Sequence, residues 1–238
     1  TFYAGGTVVN VENGTATVKG GTFSVYPDVD THDCRYILNC LDKNYKAGTA
    51  RIIVEGGTFT GYDPRNNAAE GAGTSFVAEG VGVNSEDGSF TAVPNMVAQI
   101  IDAGGNSVKA YTSLESACEN AKDGQTIILL KNSEENMSRI NCPANTKLTI
   151  DLNGYEFSGT EWAGHHTSAI ELKNAGADLT IKNGTVASYH YEALTVLAEN
   201  CKVTLENVNL ISNKSDSSTT GYDTGRYGIA ANGLTSGS

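Results

Sequence analysis

The stretch that decides the fold is AIELKNAGADLTIKNGTVAS (169–188), because ALTVLAENCKVTLENVNLIS (193–212) repeats it at one constant offset, without insertion or deletion. Apolar residues align with apolar residues throughout, and Asn183 aligns with Asn207 at what reads as a turn. The aligned apolar pairs are Ile170 with Leu194, Leu172 with Val196, Leu179 with Val203, Ile181 with Leu205 and Val186 with Leu210. A regular internal repeat of this length indicates one structural unit stacked on its copy.

Each unit contains short segments in which apolar and polar residues alternate, which is the period of a β-strand. Leucine-rich repeats and propeller blades have periods of similar size, but the Leu/Asn consensus of the former is missing. Stacked units would bury the Ile/Leu/Val column and pair each strand with its copy, with Asn and Gly at the corners. KLTIDLNGYEFSG (147–159) and YGIAANG (227–233) read as further strands of this stack. The sequence predicts an all-β chain folded as a parallel β-helix.

A second repeat occupies the first half of the chain. ATVKGGTFSVY (16–26) and RIIVEGGTFTGY (51–62) share the motif Gly-Gly-Thr-Phe, which begins at Gly20 in one and at Gly56 in the other. Gly-Gly allows the backbone to turn a corner, so that Phe23 and Phe59 return to the core. The two motifs are more widely spaced than the two units of the second half. This longer spacing predicts that one unlike or inserted coil lies between the two corners.

One segment departs from the strand pattern. TSLESACENAKDG (112–124) has apolar residues on one helical face, and Thr112 with Glu115 fits a capping box. The residues of that face are Leu114, Ala117, Cys118 and Ala121. The sequence predicts a short α-helix at about 112–122, placed to cover the open end of a solenoid.

YTSLESACENAKDGQTIILLKNSEENMSRINCPANTKLTIDLNG (111–154) resembles the entry segment of pectin-lyase-like right-handed parallel β-helix proteins, with a capping helix, an Asp-Gly turn and a first strand. This resemblance runs from Ala110 to the end of the sequence. The first half resembles the repetitive GGTF-type surface proteins of gut bacteria or their phages. The resemblance implies a right-handed β-helix. The acidic pairs of polygalacturonase-type relatives and the calcium-binding aspartates of pectate lyases are missing.

The chain is predicted to contain two consecutive β-helical segments. Residues 1–94 read as coils that end in a small strand region at 74–93, residues 95–109 as a linker, and residues 110–238 as a second segment that begins with the capping helix. Both ends of the sequence read as uncapped coils. We therefore expect further β-helical repeats of the same chain, or other subunits, as partners.

Composition limits the possible partners. The net charge of −11 disfavours nucleic acid, whose phosphates require clusters of Lys and Arg. No stretch of the sequence has the continuous apolar character of a membrane-spanning helix, so membrane insertion is not expected. We expect an extracellular, cell-surface or virion-surface location, with the signal and anchor outside this sequence.

The five cysteines are odd in number and lack metal-binding spacing, so buried thiols are favoured over a disulfide framework. A bridge between Cys34 and Cys40 stays open as an alternative. YPDVDTHDC (26–34) gathers carboxylate and imidazole groups, yet it lacks the Gly and terminal Glu of a calcium loop and reads as a solvated loop. No metal and no cofactor is predicted.

The same constant offset also aligns His166 with His190 and Ser168 with Glu192 in adjacent coils. Sugar cleavage needs two carboxylates, or a base beside a charge-neutralising group. The candidate catalytic residues are His166, His190, Glu192 and Arg226. The candidate ligand-binding residues are Trp162, His166, His190, Tyr191 and Arg226.

Two functions follow from these observations. The first is a non-catalytic module of a larger surface adhesin or phage-type fibre, which displays a site for a polysaccharide or host-surface ligand on a rigid scaffold. It is favoured by the tandem organisation and the missing carboxylate pairs. The alternative is a polysaccharide lyase or glycoside hydrolase whose site lies on the outer face of the second segment.

Overall fold

The computed structural model describes residues 2–4, 7–25, 36–67, 74–136, 140, 142–160, 168–189, 192–212, 214 and 229–231. The chain divides into two compact units, Thr1–Ala110 and Tyr111–Ser238. In both units the described residues are mostly β-strand in largely parallel sheets, as the all-β prediction requires.

The first unit contains eleven strands and one short helix among its described residues. They are β1 (Phe2–Ala4), β2 (Val9–Val11), β3 (Gly14–Val18), β4 (Thr22–Val25), β5 (Leu38–Cys40), α1 (Asp42–Lys46), β6 (Ala50–Val54), β7 (Gly57–Thr60), β8 (Gly82–Glu86), β9 (Ser89–Val93), β10 (Ala98–Ile101) and β11 (Ser107–Tyr111). Strands β1, β4 and β7 pair in parallel, as do β2 with β5 and β3 with β6.

The Gly-Gly-Thr-Phe repeat is confirmed as a structural repeat. Phe23 pairs in register with Phe59, and both side chains are buried. Gly21 and Gly57 have φ values of 112° and 115°, which L side chains rarely adopt. The motif therefore turns a corner and returns its aromatic ring to the core, as the sequence predicts.

The segment between the two Gly-Gly-Thr-Phe motifs contains helix α1. The separation between register partners grows along the first unit: it is 21 residues for Phe2 with Phe23, 29 for Val9 with Leu38 and 36 for Gly14 with Ala50. Extra residues therefore lie in two connections, from β4 to β5 and from β5 to β6, and the second of these contains α1. The longer period comes from these two insertions between strands that stay in parallel register.

The end of the first unit departs from parallel pairing. β9 pairs antiparallel with both β7 and β8, so that Phe59 lies opposite Phe90. The segment 95–109, predicted as a linker, contains β10 and most of β11. The turn between these strands is closed by Asp102 Oδ1, which accepts hydrogen bonds from the backbone N–H groups of Gly104 and Asn106, each at 2.9 Å.

The second unit contains helix α2 and nine strands among its described residues. They are α2 (Leu114–Asn120), β12 (Thr126–Leu129), β13 (Ser133–Asn136), β14 (Lys147–Asp151), β15 (Glu156–Thr160), β16 (Ile170–Leu172), β17 (Asp178–Ser188), β18 (Leu194–Val196), β19 (Lys202–Ile211) and β20 (Ile229–Ala231). All the strand pairs described here are parallel: β12–β14–β17–β19, β13–β15–β17 and β16–β18–β20.

The constant offset of the second repeat is confirmed by the register. β17 pairs with β19 as Leu179 with Val203, and β16 pairs with β18 as Ile170 with Leu194. The predicted further strands also join the stack, since Leu148 pairs with Leu179 and Ile229 with Leu194. The aligned apolar residues therefore form continuous columns, whose members in β14, β16 and β17 are buried.

Asparagines mark a bend in or after three stacked strands of the second unit, β14, β17 and β19. Asn153, Asn183 and Asn207 all have φ between 53° and 58°. Asn tolerates this left-handed conformation better than other non-glycine residues. Asn183 Nδ2 donates to Asp151 Oδ1 in the preceding coil at 3.2 Å. The predicted asparagine corner is confirmed, and its side chain bonds across the stack.

The predicted capping box at Thr112 is wrong by one residue. Helix α2 begins after Ser113, whose Oγ accepts a hydrogen bond from the Ser116 N–H at 3.1 Å. The carboxylate of Glu135 accepts two further first-turn N–H groups, from Leu114 at 2.6 Å and Glu115 at 3.3 Å. A residue from a distant strand thus satisfies donors that the sequence assigned to local capping.

Neither described helix has the length and apolar character needed to cross a membrane.

Candidate ligand-binding surface

The predicted site falls mainly outside the described residues. Trp162, His166, His190, Tyr191 and Arg226 all lie there. Their alignment in adjacent coils stays a prediction.

Glu192 is described and half-buried. Its backbone carbonyl accepts a hydrogen bond from the Ala169 N–H at 3.3 Å, next to the pairing of Ile170 with Leu194. The backbone pairing that the predicted alignment requires is therefore observed at Glu192, the one candidate residue that the structure describes.

A polar cluster includes Tyr189, the residue immediately before His190 in the sequence. We call it the Lys214 cluster, and its members are Glu134, Glu156, Ser158, Tyr189 and Lys214. Glu134 belongs to β13, Glu156 and Ser158 belong to β15, and Tyr189 follows β17. Since β13, β15 and β17 are neighbouring parallel strands, the cluster spans successive strands of one sheet.

Lys214 is the centre of the cluster. Its Nζ forms an ion pair with Glu156 Oε1 and lies 3.4 Å from Ser158 Oγ. The ammonium group also lies 5.3 Å from the centroid of the Tyr189 ring, which is cation–π distance. The Lys214 backbone N–H donates to the Ser188 carbonyl at 2.8 Å, which fixes the chain beside β17.

Tyr189 connects the cluster to the preceding coils. Its hydroxyl donates to Glu134 Oε1 at 3.1 Å. Ser158 Oγ donates to Glu156 Oε1 at 2.7 Å. Glu134 and Lys214 are exposed and Tyr189 is half-buried, so an aromatic ring and polar groups are accessible from solvent together.

The charges of the cluster are set by the Glu156–Lys214 pair. The hydrogen bond from Lys214, together with that from Ser158, lowers the pKa of Glu156 below its ordinary value. The same bond to Glu156 raises the pKa of Lys214. Glu156 is therefore an ionised, neutralised carboxylate at neutral pH and is unsuited to act as a general acid.

Sequence reasoning did not find this cluster. Lys214 lies at the start of a segment rich in Ser, Thr and Asp that breaks the register of the second repeat. Glu156 and Lys214 are 58 positions apart, and no periodic pattern links them. The only link to the predicted site is that Tyr189 immediately precedes the candidate residue His190.

A second polar patch surrounds the short strand β16. Ser168 and Thr195 share a hydrogen bond between their hydroxyl groups, and both residues are buried. Glu171, also buried, forms an ion pair with Lys173. The two hydroxyl groups satisfy each other, and Lys173 balances the charge of Glu171, although the buried Glu171 Oε2 has no hydrogen-bond partner among the described residues. The patch is best explained as structural.

The first unit has a shallow depression of about 350 Å³ lined mainly by polar residues. Asn10 and Asn39 pair in register at its edge, and Asn39 Nδ2 donates to Asn10 Oδ1 at 2.8 Å. Asn44 Nδ2 likewise donates to Asn13 Oδ1 at 3.1 Å. The amides bond to each other across coils, which is a structural role.

No metal-binding group of three or more His, Cys, Asp or Glu side chains occurs in the part of the chain that the structure describes. The loop 26–34 lies outside that part.

Cys118, Cys142 and Cys201 are free thiols, and the first two are buried. Burial raises the pKa of the Cys118 thiol well above its ordinary value, and it raises the pKa of Cys142 to about 12. The interpretation of these cysteines as small buried thiols is confirmed for Cys118 and Cys142. Cys34 lies outside the described residues.

Comparison of the chain with protein-family models, curated proteins and solved structures finds no match. The case for a function rests on the chain's own geometry.

Proposed function

We propose that each unit is a right-handed parallel β-helix and that the chain is a non-catalytic extracellular module of a larger surface adhesin or phage-type fibre. The order of pairing supports the fold. In the first unit β1, β2 and β3 pair in turn with β4, β5 and β6. Strands that recur in threes with parallel pairing make coils with three sides. Parallel crossover connections are almost always right-handed, which supports the handedness.

The observation that carries the proposed role is the parallel register that runs from β1 to β7 in the first unit and through the strands of the second. Each coil contacts only its neighbours, so a stack of coils is a rigid scaffold that can carry a displayed site away from its anchor. The buried apolar columns and the hydrogen bonds between stacked strands stabilise this scaffold.

The Lys214 cluster is the proposed site of display, together with the residues predicted from the sequence: Trp162, His166, His190, Tyr191 and Arg226. Carboxylate oxygens accept hydrogen bonds from sugar hydroxyl groups, and the half-buried ring of Tyr189 adds an apolar surface beside them. The ligand class is therefore a glycan or a glycosylated host surface.

A polysaccharide-degrading enzyme is the second candidate. It is favoured by the two carboxylates Glu134 and Glu156, which lie on the neighbouring strands β13 and β15. A glycoside hydrolase needs one of its two carboxyl groups protonated as the acid. Because Lys214 keeps Glu156 ionised, Glu156 is unsuited to be that acid. Together with the missing acidic pairs of polygalacturonase-type relatives, this favours binding without cleavage.

The two candidates are separated by one pair of measurements on the intact chain. Binding to a glycan array is measured alongside the release of reducing ends or unsaturated uronates from neutral and acidic polysaccharides. We expect binding without release. Glu134→Gln should weaken binding about tenfold, as loss of a hydrogen bond from a charged group does. The exposed Glu86→Gln in the first unit is the matched control. Product release that is lost in His190→Ala would establish the enzyme instead.

A further inference from the structure

We infer that the outer face of the stacked strands β12, β14, β17 and β19 docks against the same face of a second copy of this chain, related by a two-fold axis parallel to the stack. We call it the threonine face, because its centre is a column of register partners, Thr126, Thr149, Thr180 and Thr204. This inference depends only on the strand register of the second unit, so failure to bind glycans would leave it unchanged.

The threonine face consists of the side chains that alternate with the buried apolar residues of these strands. In β14 the buried residues are Leu148 and Ile150, so Lys147, Thr149 and Asp151 point away from the core. The threonines of the column are half-buried, and the charged residues beside them are half-buried or exposed. The four strands and the turns at both of their ends all belong to the described part of the chain.

Charges flank the threonine column on both sides and alternate in sign. Along one side the successive register partners are Lys147, Asp178 and Lys202. Along the other side the signs are reversed, and the partners are Asp151, Lys182 and Glu206. Lys202 Nζ lies 3.6 Å from Asp178 Oδ2, and Lys182 Nζ lies 3.5 Å from Asp151 Oδ2. Each of β14, β17 and β19 therefore carries one positive and one negative end, and the face has no net charge.

This charge pattern identifies the occupant as a second copy. A two-fold axis parallel to the stack turns each strand end for end and lays it on its own equivalent. Lys147 then faces Asp151 of the other copy, and Lys202 faces Glu206 of the other copy. The charges at the two ends of β17 pair in the same way. The face is thus self-complementary, as a two-fold interface requires.

The alternation also fixes the alignment of the two copies along the stack. A slip by one coil would place β14 of one copy on β17 of the other. Lys147 would then face Lys182 of the other copy, and Asp151 would face Asp178. Like charges placed opposite each other are destabilising. Only the unshifted alignment pairs every flanking charge with an opposite charge.

Strand β12 extends the match through shape. It lacks the flanking charges, because Gly124 lies level with Lys147, to whose carbonyl its N–H donates at 2.8 Å, and Ile128 is the register partner of Asp151. A Cβ at Gly124 would meet nothing within 4 Å, so the space above it is open. The same rotation places the half-buried Ile128 of one copy over Gly124 of the other, where an apolar side chain has room to pack.

A two-fold axis parallel to the strands is the competing arrangement. It would lay β14 on β17, which also pairs their charges, but it would lay β12 on β19. Glu206 would then face Ile128, and Lys202 would face Gly124, so that both charges lose water without gaining a partner. The axis parallel to the stack is therefore favoured. A strongly charged partner of either sign is disfavoured, because the face itself is neutral.

The size of the face makes the association weak. Four strands about 4.8 Å apart, with about 3.3 Å per residue along each strand, cover roughly 300 Å² per copy. Standard protein interfaces bury about 800 Å² per partner. We therefore expect a dissociation constant of about 0.1 to 1 mM, in the range of small transient contacts. Because the ion pairs lie at the rim of the contact, salt should weaken it.

The test is sedimentation equilibrium of the full chain up to about 1 mM, at low and high salt. The parent chain should show a monomer–dimer equilibrium that weakens as salt rises. Lys202→Glu and Glu206→Lys each replace two symmetry-related ion pairs with like-charge contacts, so each alone should associate about tenfold more weakly. An equimolar mixture of the two variants should recover the parent's association, because position 202 of each variant then faces an opposite charge at position 206 of the other.

Two variants with the same changes in net charge are the matched controls. Lys19 and Glu55 form an exposed ion pair in the first unit, with Nζ and Oε2 3.8 Å apart. Lys19→Glu and Glu55→Lys should leave the association unchanged, and circular dichroism checks that all variants fold. A chain that stays monomeric at every concentration would overturn the inference. A dimer that ignores both reversals, or a mixture that associates no better than the separate variants, would overturn it equally.

Discussion

The rings of Phe23 and Phe59 stack with their centroids 5.1 Å apart and their planes 14° apart. The two residues occupy the same position in the two Gly-Gly-Thr-Phe motifs and are register partners of β4 and β7. The repeated motif thus places one aromatic ring above another in the core of the first unit.

Phe59 is the more consequential of the two rings, because it is fully buried and also contacts Tyr62 at 6.1 Å between centroids. Phe59→Ala should lower the free energy of unfolding by about 3–5 kcal/mol, through lost burial and the cavity left behind. Urea denaturation followed by circular dichroism measures the loss. Leu197→Ala, at a residue 40% exposed, is the control and should change little. Equal effects would contradict the stacked core.

Gly20 and Gly56 open the two motifs and allow a matched comparison. A Cβ at Gly56 would lie 2.6 Å from the Lys19 carbonyl oxygen, whereas a Cβ at Gly20 meets nothing within 4 Å. Gly56→Ala should destabilise the chain by about 1–3 kcal/mol, because the backbone must shift. Gly20→Ala should stay within about 1 kcal/mol of the parent. Thermal unfolding of both variants checks the order, and the reverse order would show that the coils do not approach closely here.

Thr112 and Ser113, the two residues that precede α2, should differ in their contribution to stability. Ser113→Ala should cost about 1 kcal/mol, because the hydroxyl caps the Ser116 N–H. Thr112→Ala, the residue favoured by sequence reasoning, should cost clearly less. Chemical denaturation of the two variants decides between them. A larger loss at Thr112 would restore the capping box predicted from sequence.

The Glu156–Lys214 pair predicts a pH dependence whose sign can be worked out. The pKa of Glu156 is lowered on folding, so its contribution is complete above the unfolded value of about 4.3 and is lost as the pH falls through the folded value. The pKa of Lys214 is raised, so its contribution is complete below about 10.4 and is lost as the pH rises through its folded value.

The expected size of this contribution is about 1 kcal/mol or less, because the pair is partly exposed. The measurement is the stability difference between the parent chain and Glu156→Gln from acid to neutral pH, which should shrink in acid. In a Lys214→Met background the difference should be smaller at neutral pH. If the stability difference at neutral pH is as large in the Lys214→Met background as in the parent chain, Lys214 is not the partner of Glu156.

The cysteines should differ in their reaction with iodoacetamide at mildly alkaline pH. Cys142 is buried with a pKa raised to about 12, so it should stay unmodified until the chain unfolds. Cys201 is partly exposed and should react first. Peptide mapping by mass spectrometry with and without denaturant measures the order. Rapid native labelling of Cys142 would contradict its burial.

The sequence by itself determined the parallel register. Repetition at a constant offset identifies the strand partners, and the alternation of apolar residues identifies the buried side of each strand. Asn and Gly predict the positions of the bends, because few other residues adopt a left-handed backbone conformation. The pairing of Leu179 with Val203 and of Phe23 with Phe59 could therefore be predicted without coordinates.

Only the tertiary structure decided the features that break the repeat. Glu135 reaches the first turn of α2 from 21 positions away, and Lys214 reaches Glu156 across 58 positions. The antiparallel pairing of β9 likewise has no signal in the repeat. A repeat specifies contacts between equivalent positions, because those contacts recur in every coil. Contacts between non-equivalent positions occur once, and they are determined by where folding places each side chain.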